Sequence, residues 1–297
     1  MSNKIQAIVK LSRWRQHVPY TLPLVIIGAL IATNQSDTTL DWRLLPVTIA
    51  NILAMVFAFM INDVIDAPDD ARNPVKTESN VISQGLLSVR EAGFVCVTVF
   101  VLSVILFAQG GLWSLIVGLT TLILSFLYSA PVVRLKARLI VDVLSHVLML
   151  SALLLISGYV VYDTTISTGW WVILGVSFAS AYGQFYNQVD DFENDKVAGL
   201  NNTAMLLGRA NTVRAMTICA VLTMICFIIA IIYRVFPFWL GWVLGASIII
   251  VSLFQWDIDM RGNETDTSGM VQRPVLITAN MVAFMWLLYD LGLLGIG

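Results

Sequence analysis

Two clusters of carboxylate and amide side chains follow long apolar stretches of this chain, at residues 62–70 and 187–195. Both clusters contain the spacing Asn-x-x-x-Asp-x-x-x-Asp. Because residues four apart lie on the same face of a helix, each triplet is predicted to form a stripe of oxygen ligands. The stripes consist of Asn62, Asp66 and Asp70 in the first cluster, and Asn187, Asp191 and Asp195 in the second.

These clusters suit metal-assisted chemistry on a diphosphate. Ionisable groups at membrane depth are costly and by default mark a functional site. Two facing carboxylate clusters would repel each other unless a cation lay between them, and Mg²⁺ typically bridges one or two carboxylates to substrate phosphates. The predicted Mg²⁺ ligands are Asp63, Asp66, Asp70, Asp191 and Asp195. Asn62 and Asn187 are expected to add a carbonyl ligand, bind phosphate or orient a carboxylate.

A proline interrupts the first cluster. Pro68 removes a backbone donor and disfavours helical geometry at Ala67, so Asp70 is predicted to lie beyond a kink. The leading ligands of the first cluster are therefore Asp63 and Asp66, and those of the second are Asp191 and Asp195.

Basic and aromatic residues near the clusters are candidates for binding the substrate. Arg72, Lys76 and Lys136 are expected to hold phosphate oxygens, and of these Lys76 and Lys136 are the strongest candidates. Aromatic faces stabilise cations in dry sites, so an allylic carbocation would be stabilised by neighbouring rings. The candidate rings are Tyr128, Tyr182, Phe185 and Tyr186.

Asp142 and His146 form a second polar pair in an apolar stretch. Their spacing of four places them on one face of a helix. Two interpretations stay open from the sequence: the residues form a structural polar pair, or one of them accepts the proton that the acceptor releases.

The composition identifies an integral membrane protein. Hydrophobic residues make up 58% of the chain and charged residues 12%, whereas soluble domains carry about 25% charged residues. No linker divides residues 1–297, so a single domain is predicted. Apolar stretches long enough to cross the bilayer predict an all-α membrane protein with nine spans. They cover residues 18–33, 44–66, 91–109, 112–129, 139–162, 169–190, 210–233, 237–255 and 274–295. Pro19 and Pro23 predict an irregular or tilted first span.

The distribution of Lys and Arg predicts the orientation. With the N-terminus inside, all basic residues except Arg43 and Arg234 fall on the inner side. This arrangement places both carboxylate clusters at the cytoplasmic face and the C-terminus outside. It fits a prokaryotic plasma membrane.

The motifs resemble those of the UbiA superfamily of intramembrane prenyltransferases. The first signature is matched by Asn62-Asp63-x-x-Asp66-x-x-x-Asp70, followed by Asn73-Pro74, Lys76 and residues 83–88. The segment 127–131 with Arg134-Leu135-Lys136 is similar to the family's loop after the fourth helix. The second signature is matched by Asp191-x-x-x-Asp195-Lys196-x-x-Gly199, then Thr203 and Leu207-Gly208.

The resemblance implies nine helices around a central cavity, with cytoplasmic cap loops that carry the two Asp-rich motifs. It also implies Mg²⁺-dependent transfer of a prenyl group from a polyprenyl diphosphate to a lipophilic acceptor. The five aspartates would bind diphosphate through Mg²⁺, and Lys76, Tyr128 and Lys136 would contact the diphosphate or the pocket. The chain departs from many relatives where Lys76-Thr77 replaces Arg-Pro and where Asn187-Gln188 replaces Lys-Asp.

Several functions fit these residues. The acceptor of a transferase could be an aromatic quinone precursor, a chlorin or haem, a glycerol lipid or a carotenoid end. A terpene cyclase on the same scaffold is the alternative among enzymes, since the substrate's own alkene could attack. A transporter is the alternative from another class, but it would place acidic groups near mid-membrane. Here the outer half is nearly free of charge, with Asp163 and Asp290 as isolated outer-end residues.

Overall fold

The computed structural model of the chain describes residues 2–72, 74–197, 199, 201–253 and 266–294. Every regular element within those ranges is helical. The first half contains α1 (Ser2–Leu11), α2 (Trp14–Gln35), α3 (Leu44–Asp70), α4 (Pro74–Ser79), α5 (Val89–Gln109) and α6 (Leu112–Ser129). The second half contains α7 (Val141–Val147), α8 (Leu153–Tyr159), α9 (Trp170–Asp190), α10 (Phe192–Val197), α11 (Thr203–Leu207), α12 (Arg209–Ile232), α13 (Leu240–Leu253) and α14 (Asp266–Asp290).

Each of the nine predicted spans contains a helix over the residues described. Six segments among them are long and apolar enough to cross a membrane: α2, α3, α5, α6, the continuous segment Val141–Tyr159, and α12. The protein is therefore a multi-pass integral membrane protein. The spans that correspond to α9, α13 and α14 stay predictions, because the C-terminal end of α9 is polar and the apolar parts of α13 and α14 are short.

The prolines of α2 do not break it, contrary to the irregular span predicted from the sequence. The helix runs without interruption from Trp14 to Gln35 and contains both Pro19 and Pro23. Pro23 has no N–H to donate to the carbonyl group of Pro19, one helical turn earlier. The side chain of Asn280 in α14 donates to that carbonyl at 2.7 Å. A neighbouring helix thus satisfies the acceptor that the proline leaves free.

Pro68 does not end α3, which continues through it to Asp70. Its 27 residues would span about 40 Å at 1.5 Å per residue. This exceeds the hydrocarbon core of about 30 Å. The C-terminal turns of α3, which carry the first carboxylate cluster, can therefore lie at the membrane surface.

The core forms where α2, α3 and α8 pack together. At the crossing of α2 and α8, the two backbones approach each other at Gly28 and Gly158. A β-carbon added at Gly158 would lie 2.0 Å from the carbonyl oxygen of Val25, and one at Gly28 would lie 2.0 Å from that of Leu155. Small residues allow such close packing between membrane helices.

We expect Gly158→Ala to lower the free energy of unfolding by about 1–3 kcal/mol, because the added methyl group forces two backbones apart. Gly93→Ala in α5 is the matched control, since its β-carbon would meet no atom within 4 Å. Alanine is favoured over glycine inside a helix, so this control should not lose stability. Thermal unfolding in detergent measures both changes. Equal midpoints for the two variants would contradict the importance of this crossing.

Candidate functional site

The C-terminal turns of α3 bring Asn62 and Asp66 to the same basic side chain. Lys136, on a 3₁₀ turn formed by Leu135–Ala137, donates to Asn62 Oδ1 at 2.9 Å and forms an ion pair with Asp66 Oδ2. Ser129 Oγ donates to the same Asn62 oxygen at 2.7 Å. The side chains of Lys136 and Asp66 are 18% and 19% exposed. Two of the predicted site residues are thus held together with the lysine favoured by the sequence.

Asp70 is held by α4 and by the segment that follows it. The buried Asn80 donates from Nδ2 to Asp70 Oδ2 at 3.0 Å and to the backbone oxygen of Asp63 at 2.9 Å. Thr77 Oγ1 donates to the Asp70 backbone oxygen at 2.9 Å, and Ser83 Oγ donates to the Ala67 oxygen at 2.9 Å. The segment therefore folds back onto the last turns of α3 and fixes Asp70 near Asp66.

Asp63 is engaged by a different partner. Its side chain is 3% exposed and accepts hydrogen bonds from Arg13, at 3.1 Å from Nε and 2.8 Å from Nη2. At about 100° of rotation per residue, Asp63 lies at the edge of the stripe of Asn62, Asp66 and Asp70, about 20° around the helix from Asp70. Arg13 has a left-handed backbone, with φ of 47°, in the connection between α1 and α2. This fork-to-carboxylate geometry is the strongest type of ion pair.

The second cluster begins where α9 ends. Asp191 follows the last residue of α9, and the Asp195 N–H donates to the Asp191 carbonyl oxygen at 2.8 Å, which keeps one helical turn between them. Asp195 Oδ2 accepts a hydrogen bond of 2.6 Å from Asn202 Nδ2. Asp191 is exposed, whereas Tyr186 and Asn187 are half-buried on α9. The predicted spacing is therefore present, although the two carboxylates lie beyond the long helix.

Asp142 joins the second cluster from α7. It is fully buried, and its Oδ2 accepts from Gln188 Nε2 at 2.6 Å and from the Thr203 backbone N–H at 2.8 Å. Its Oδ1 accepts from Thr203 Oγ1 and from the Val143 N–H. Among the described residues Asp142 has no ion-pair partner, so hydrogen bonds compensate its burial. Of the two sequence interpretations, a structural role fits this carboxylate.

Both clusters lie at the same end of the helix bundle. The connection between α6 and α7 is short, yet Lys136 contacts the first cluster and Asp142 contacts the residues that flank the second. Tyr128, at the end of α6, lies beside Gln184 and within electrostatic reach of Asp66 and Asp142. Residues 128–142 therefore form a bridge between the two carboxylate clusters.

The other predicted aromatic residues have packing partners. Tyr182 and Phe185 pack against the small buried cluster formed by Val143, Ala181 and Cys219. His146 lies one turn beyond Asp142 and is half-buried. Its imidazole forms no hydrogen bond with any residue that the structure describes. A π-helical turn, Leu148–Ala152, follows directly, and such distortions are frequent at functional sites.

The structure describes the side chain of Arg72, but not that of Lys76. Arg72 has an 81% exposed side chain and reaches Asp69 at 3.8 Å, a carboxylate of the first cluster that is not among the predicted metal ligands. Lys76 lies on α4, but its side chain is outside the described residues. Arg134 also reaches Asp69, at 3.9 Å. Sequence reasoning missed Arg13, Asn80, Gln188 and Thr203 as partners of the clusters, since polar side chains far apart in sequence give no periodic signal.

The donor set fits a metal that completes its shell with substrate and water. In the part of the chain that the structure describes, no three His, Cys, Asp or Glu side chains lie close enough together to hold a metal ion. Mg²⁺ is usually bound by one or two carboxylates together with substrate phosphates, and rarely by a cage of protein ligands. Paired oxygen ligands at Asp66 and Asp70, and at Asp191 and Asp195, are compatible with that mode of binding.

An apolar groove of about 280 Å³ lies between α2 and α14, apart from both clusters. It is lined by Leu22, Pro23, Ile26, Asn280, Ala283, Phe284 and Leu287. Such a lining suits hydrocarbon and offers no charged group for a diphosphate.

Comparison with known proteins identifies relatives that are named lycopene elongase/hydratase. The chain is 26% identical to a lycopene elongase/hydratase of Corynebacterium glutamicum over 98% of its length and 96% of the relative. It is 26% identical to a lycopene elongase/hydratase of Haloarcula japonica over 68% of each chain. A solved structure of a UbiA homologue from Archaeoglobus fulgidus, bound to DMAPP and Mg²⁺, superposes with a TM-score of 0.70 at 20% identity. That superposition covers 98% of this chain and 99% of the other.

Two of these likenesses, to the Corynebacterium glutamicum relative and to the solved structure, extend over almost the whole chain, and so does the match to one protein family. Residues 21–288 match the model of the UbiA prenyltransferase family. The matched range includes both carboxylate clusters and the connection that bridges them. The resemblance seen in the sequence motifs is thereby confirmed, and the chain belongs to the UbiA prenyltransferase family.

Proposed function

We propose that this protein catalyses Mg²⁺-dependent transfer of a prenyl group from a polyprenyl diphosphate to a lipophilic acceptor. The observation that carries the proposal is the bridge of residues 128–142. Within it, Lys136 contacts Asp66 and Asn62 of the first cluster. Asp142, at its other end, accepts a hydrogen bond from Gln188, which flanks the second cluster. This bridge brings two carboxylate clusters and a lysine to one end of a membrane bundle. Membership in a prenyltransferase family supports the reaction type.

Different residues are proposed to bind the metal ion and the diphosphate leaving group. Asp66, Asp70, Asp191 and Asp195 would hold Mg²⁺, which neutralises the diphosphate and makes it a better leaving group. Lys136 offers an ammonium group beside Asp66, and we propose that it donates to a diphosphate oxygen. Lys76 is proposed to act in the same way from the segment after the first cluster.

Further roles are proposed for the amides, the exposed arginine and Asp63. Asn62 and Asn187 would orient carboxylates or bind diphosphate oxygens directly. Arg72 would reach the diphosphate from the surface. Asp63 was predicted as a ligand, but both of its oxygens are engaged by Arg13. We therefore assign it a ligand role only if that pair opens.

The steps at the prenyl carbon follow from the positive charge that it gains when the diphosphate leaves. The bond between the prenyl carbon and the diphosphate oxygen breaks, and the electron pair leaves with the diphosphate. The faces of Tyr128 and Tyr186 are proposed to stabilise the allylic cation. An electron-rich acceptor carbon forms the new carbon–carbon bond, and the resulting cation loses a proton or adds water and then loses a proton. An apolar bundle excludes bulk water, which would otherwise trap the first cation.

A carotenoid end is the acceptor that the relatives favour. Both relatives compared above carry the name lycopene elongase/hydratase, and one aligns over nearly the full length of both chains. We propose a linear polyene such as lycopene as acceptor and dimethylallyl diphosphate as a donor. His146 is the proposed proton acceptor, because Asp142 has both oxygens committed to hydrogen bonds whereas the imidazole has none to the described residues.

We also propose that the site faces the cytoplasm, as the distribution of basic residues predicts. Basic residues cluster at the end of the bundle that carries the site: Arg13, Arg72, Arg134 and Lys136 all lie beside carboxylates there.

A diphosphate-release assay on purified protein in nanodiscs tests the function. Dimethylallyl, geranyl and geranylgeranyl diphosphates are supplied with Mg²⁺, each with lycopene, with a mixed lipid extract, or without acceptor. We expect release with dimethylallyl diphosphate that depends on lycopene. Mass spectrometry should then show lycopene enlarged by one isoprene unit, with or without one added water.

The other outcomes distinguish the alternatives. Release that needs the extract but not lycopene would keep the transferase and overturn the carotenoid acceptor. Release without any acceptor, together with a cyclised hydrocarbon, would favour the terpene cyclase. Absence of release from every donor and acceptor would contradict the proposed function.

A further inference from the structure

Among the carboxylates that the structure describes, Asp142 is one of the most deeply buried, with a relative exposure of 0%. A buried charge without an ion-pair partner is costly unless donors satisfy it. Four donors do so here: Gln188 Nε2, the Thr203 N–H, Thr203 Oγ1 and the Val143 N–H. Hydrogen bonds to an ionised acceptor are about twice as strong as neutral ones. The arrangement therefore ties together every element that contributes a donor.

Two of those elements are the two ends of the segment that carries the second cluster. Gln188 lies in the last turn of α9, before Asp191, and Thr203 begins α11, beyond Asp195. The ends are also joined directly, because the Ala204 N–H donates to Gln188 Oε1 at 3.1 Å. The two ends of residues 188–203 are therefore held together by hydrogen bonds to one carboxylate, that of Asp142 on α7.

A second connection leads from this anchor to a predicted metal ligand. Asn202 is adjacent to Thr203, is buried, and caps α11 by accepting from the Met205 N–H at 3.0 Å. Its Nδ2 donates to Asp195 Oδ2 at 2.6 Å. Displacement of Thr203 would thus move Asn202, and with it the hydrogen bond that orients Asp195.

We propose that Asp142 is a positioning residue for the second carboxylate cluster. It fixes the loop so that Asp191 and Asp195 are oriented before metal and diphosphate bind. This inference rests on the proposed function for its catalytic consequence, but the anchoring of the loop is independent of any ligand. Partners that orient metal ligands typically change metal affinity by 10–100-fold when removed.

Asp142→Asn is the direct test, because each carboxylate oxygen accepts two donors and an amide would turn an NH₂ group towards one of those pairs. We expect the Mg²⁺ concentration for half-maximal prenyl transfer to rise by about 10–100-fold, with a smaller change in the maximal rate. Hydrogen–deuterium exchange without Mg²⁺ should become faster in residues 188–203 than in the wild type. Thr203→Val removes only the hydroxyl donor and should show both effects more weakly.

Asp163→Asn is the matched control. Asp163 lies beyond the opposite end of the Val141–Tyr159 segment and accepts from Tyr159 OH at 3.2 Å and from the Thr165 N–H at 2.8 Å. The same chemical change there should leave the Mg²⁺ requirement and the exchange of residues 188–203 unchanged.

Two results would overturn the inference. One is an Asp142→Asn variant with a lower thermal midpoint but wild-type Mg²⁺ requirement and exchange in residues 188–203. The other is slower transfer with no change of either quantity. If Asp142→Asn does not fold, Thr203→Val decides by the same two measurements. If the wild type transfers no prenyl group, the proposed function fails, and Mn²⁺ binding followed by electron paramagnetic resonance still tests the positioning of the loop.

Discussion

Asp66→Asn is expected to lower the rate of prenyl transfer by ~100-fold or more, whereas Asp69→Asn should change it little. Asp66 lies on the stripe with Asn62 and Asp70 and pairs with Lys136. Its removal would delete a proposed metal ligand and leave Lys136 without its carboxylate. Asp69 belongs to the same helical turn but is 64% exposed. Its nearest basic groups lie at 3.8 and 3.9 Å, and such surface pairs contribute about 0–1 kcal/mol.

Asp66→Asn and Asp69→Asn each remove one negative charge from the same part of α3, so a general effect of net charge would appear in both variants. Initial rates at saturating donor, together with the Mg²⁺ concentration for half-maximal rate, separate the loss of a ligand from a loss of folded protein. Thermal midpoints should stay within a few degrees of the wild type for both. Similar rates for the two variants would contradict the assignment of the stripe as the metal-binding face.

The positions of the predicted ligands follow from helical periodicity and could be predicted from sequence. The spacing of Asn62, Asp66 and Asp70 requires only that α3 be helical, and α3 remains helical through Pro68. The effect of a proline inside a helix is harder to predict from sequence, because the cost of its missing N–H depends on whether another group satisfies the freed carbonyl. At Pro23 the group that does so is Asn280, which lies in the last helix of the chain.

The hydrogen-bond and ion-pair partners of the predicted ligands could not be predicted from sequence, because they too come from distant parts of the chain. Asp63 and Arg13 are 50 residues apart, and Arg13 looked like one of many basic residues that mark the inner side of the membrane. The role of Asp142 depends on Gln188 and Thr203, which the sequence does not mark as neighbours. Local spacing thus predicts which helix face carries the predicted ligands, whereas the contacts that orient their side chains depend on helix packing across the bundle.

Arg13→Ala should be the most destabilising replacement at this end of the bundle. It would leave the Asp63 carboxylate, 3% exposed, without its only described ion-pair partner. Breaking a buried pair by removing one member costs about 3–5 kcal/mol, because an uncompensated charge stays in the interior. We therefore expect a large fall in the thermal midpoint in detergent. Lys4→Ala is the control, since Lys4 pairs with Glu91 at an exposed position where the loss should be small.

The double variant Arg13→Gln with Asp63→Asn separates two roles of Asp63. Two amides can hydrogen-bond without any buried charge, so most of the lost stability should return, as neutral replacements of buried pairs often do. We expect prenyl transfer to return with it, because the stripe formed by Asn62, Asp66 and Asp70 is left intact. A double variant with restored stability, but with a strongly raised Mg²⁺ requirement, would show instead that Asp63 exchanges Arg13 for the metal. In that case Arg13 would hold the first cluster closed until the ion and the diphosphate arrive.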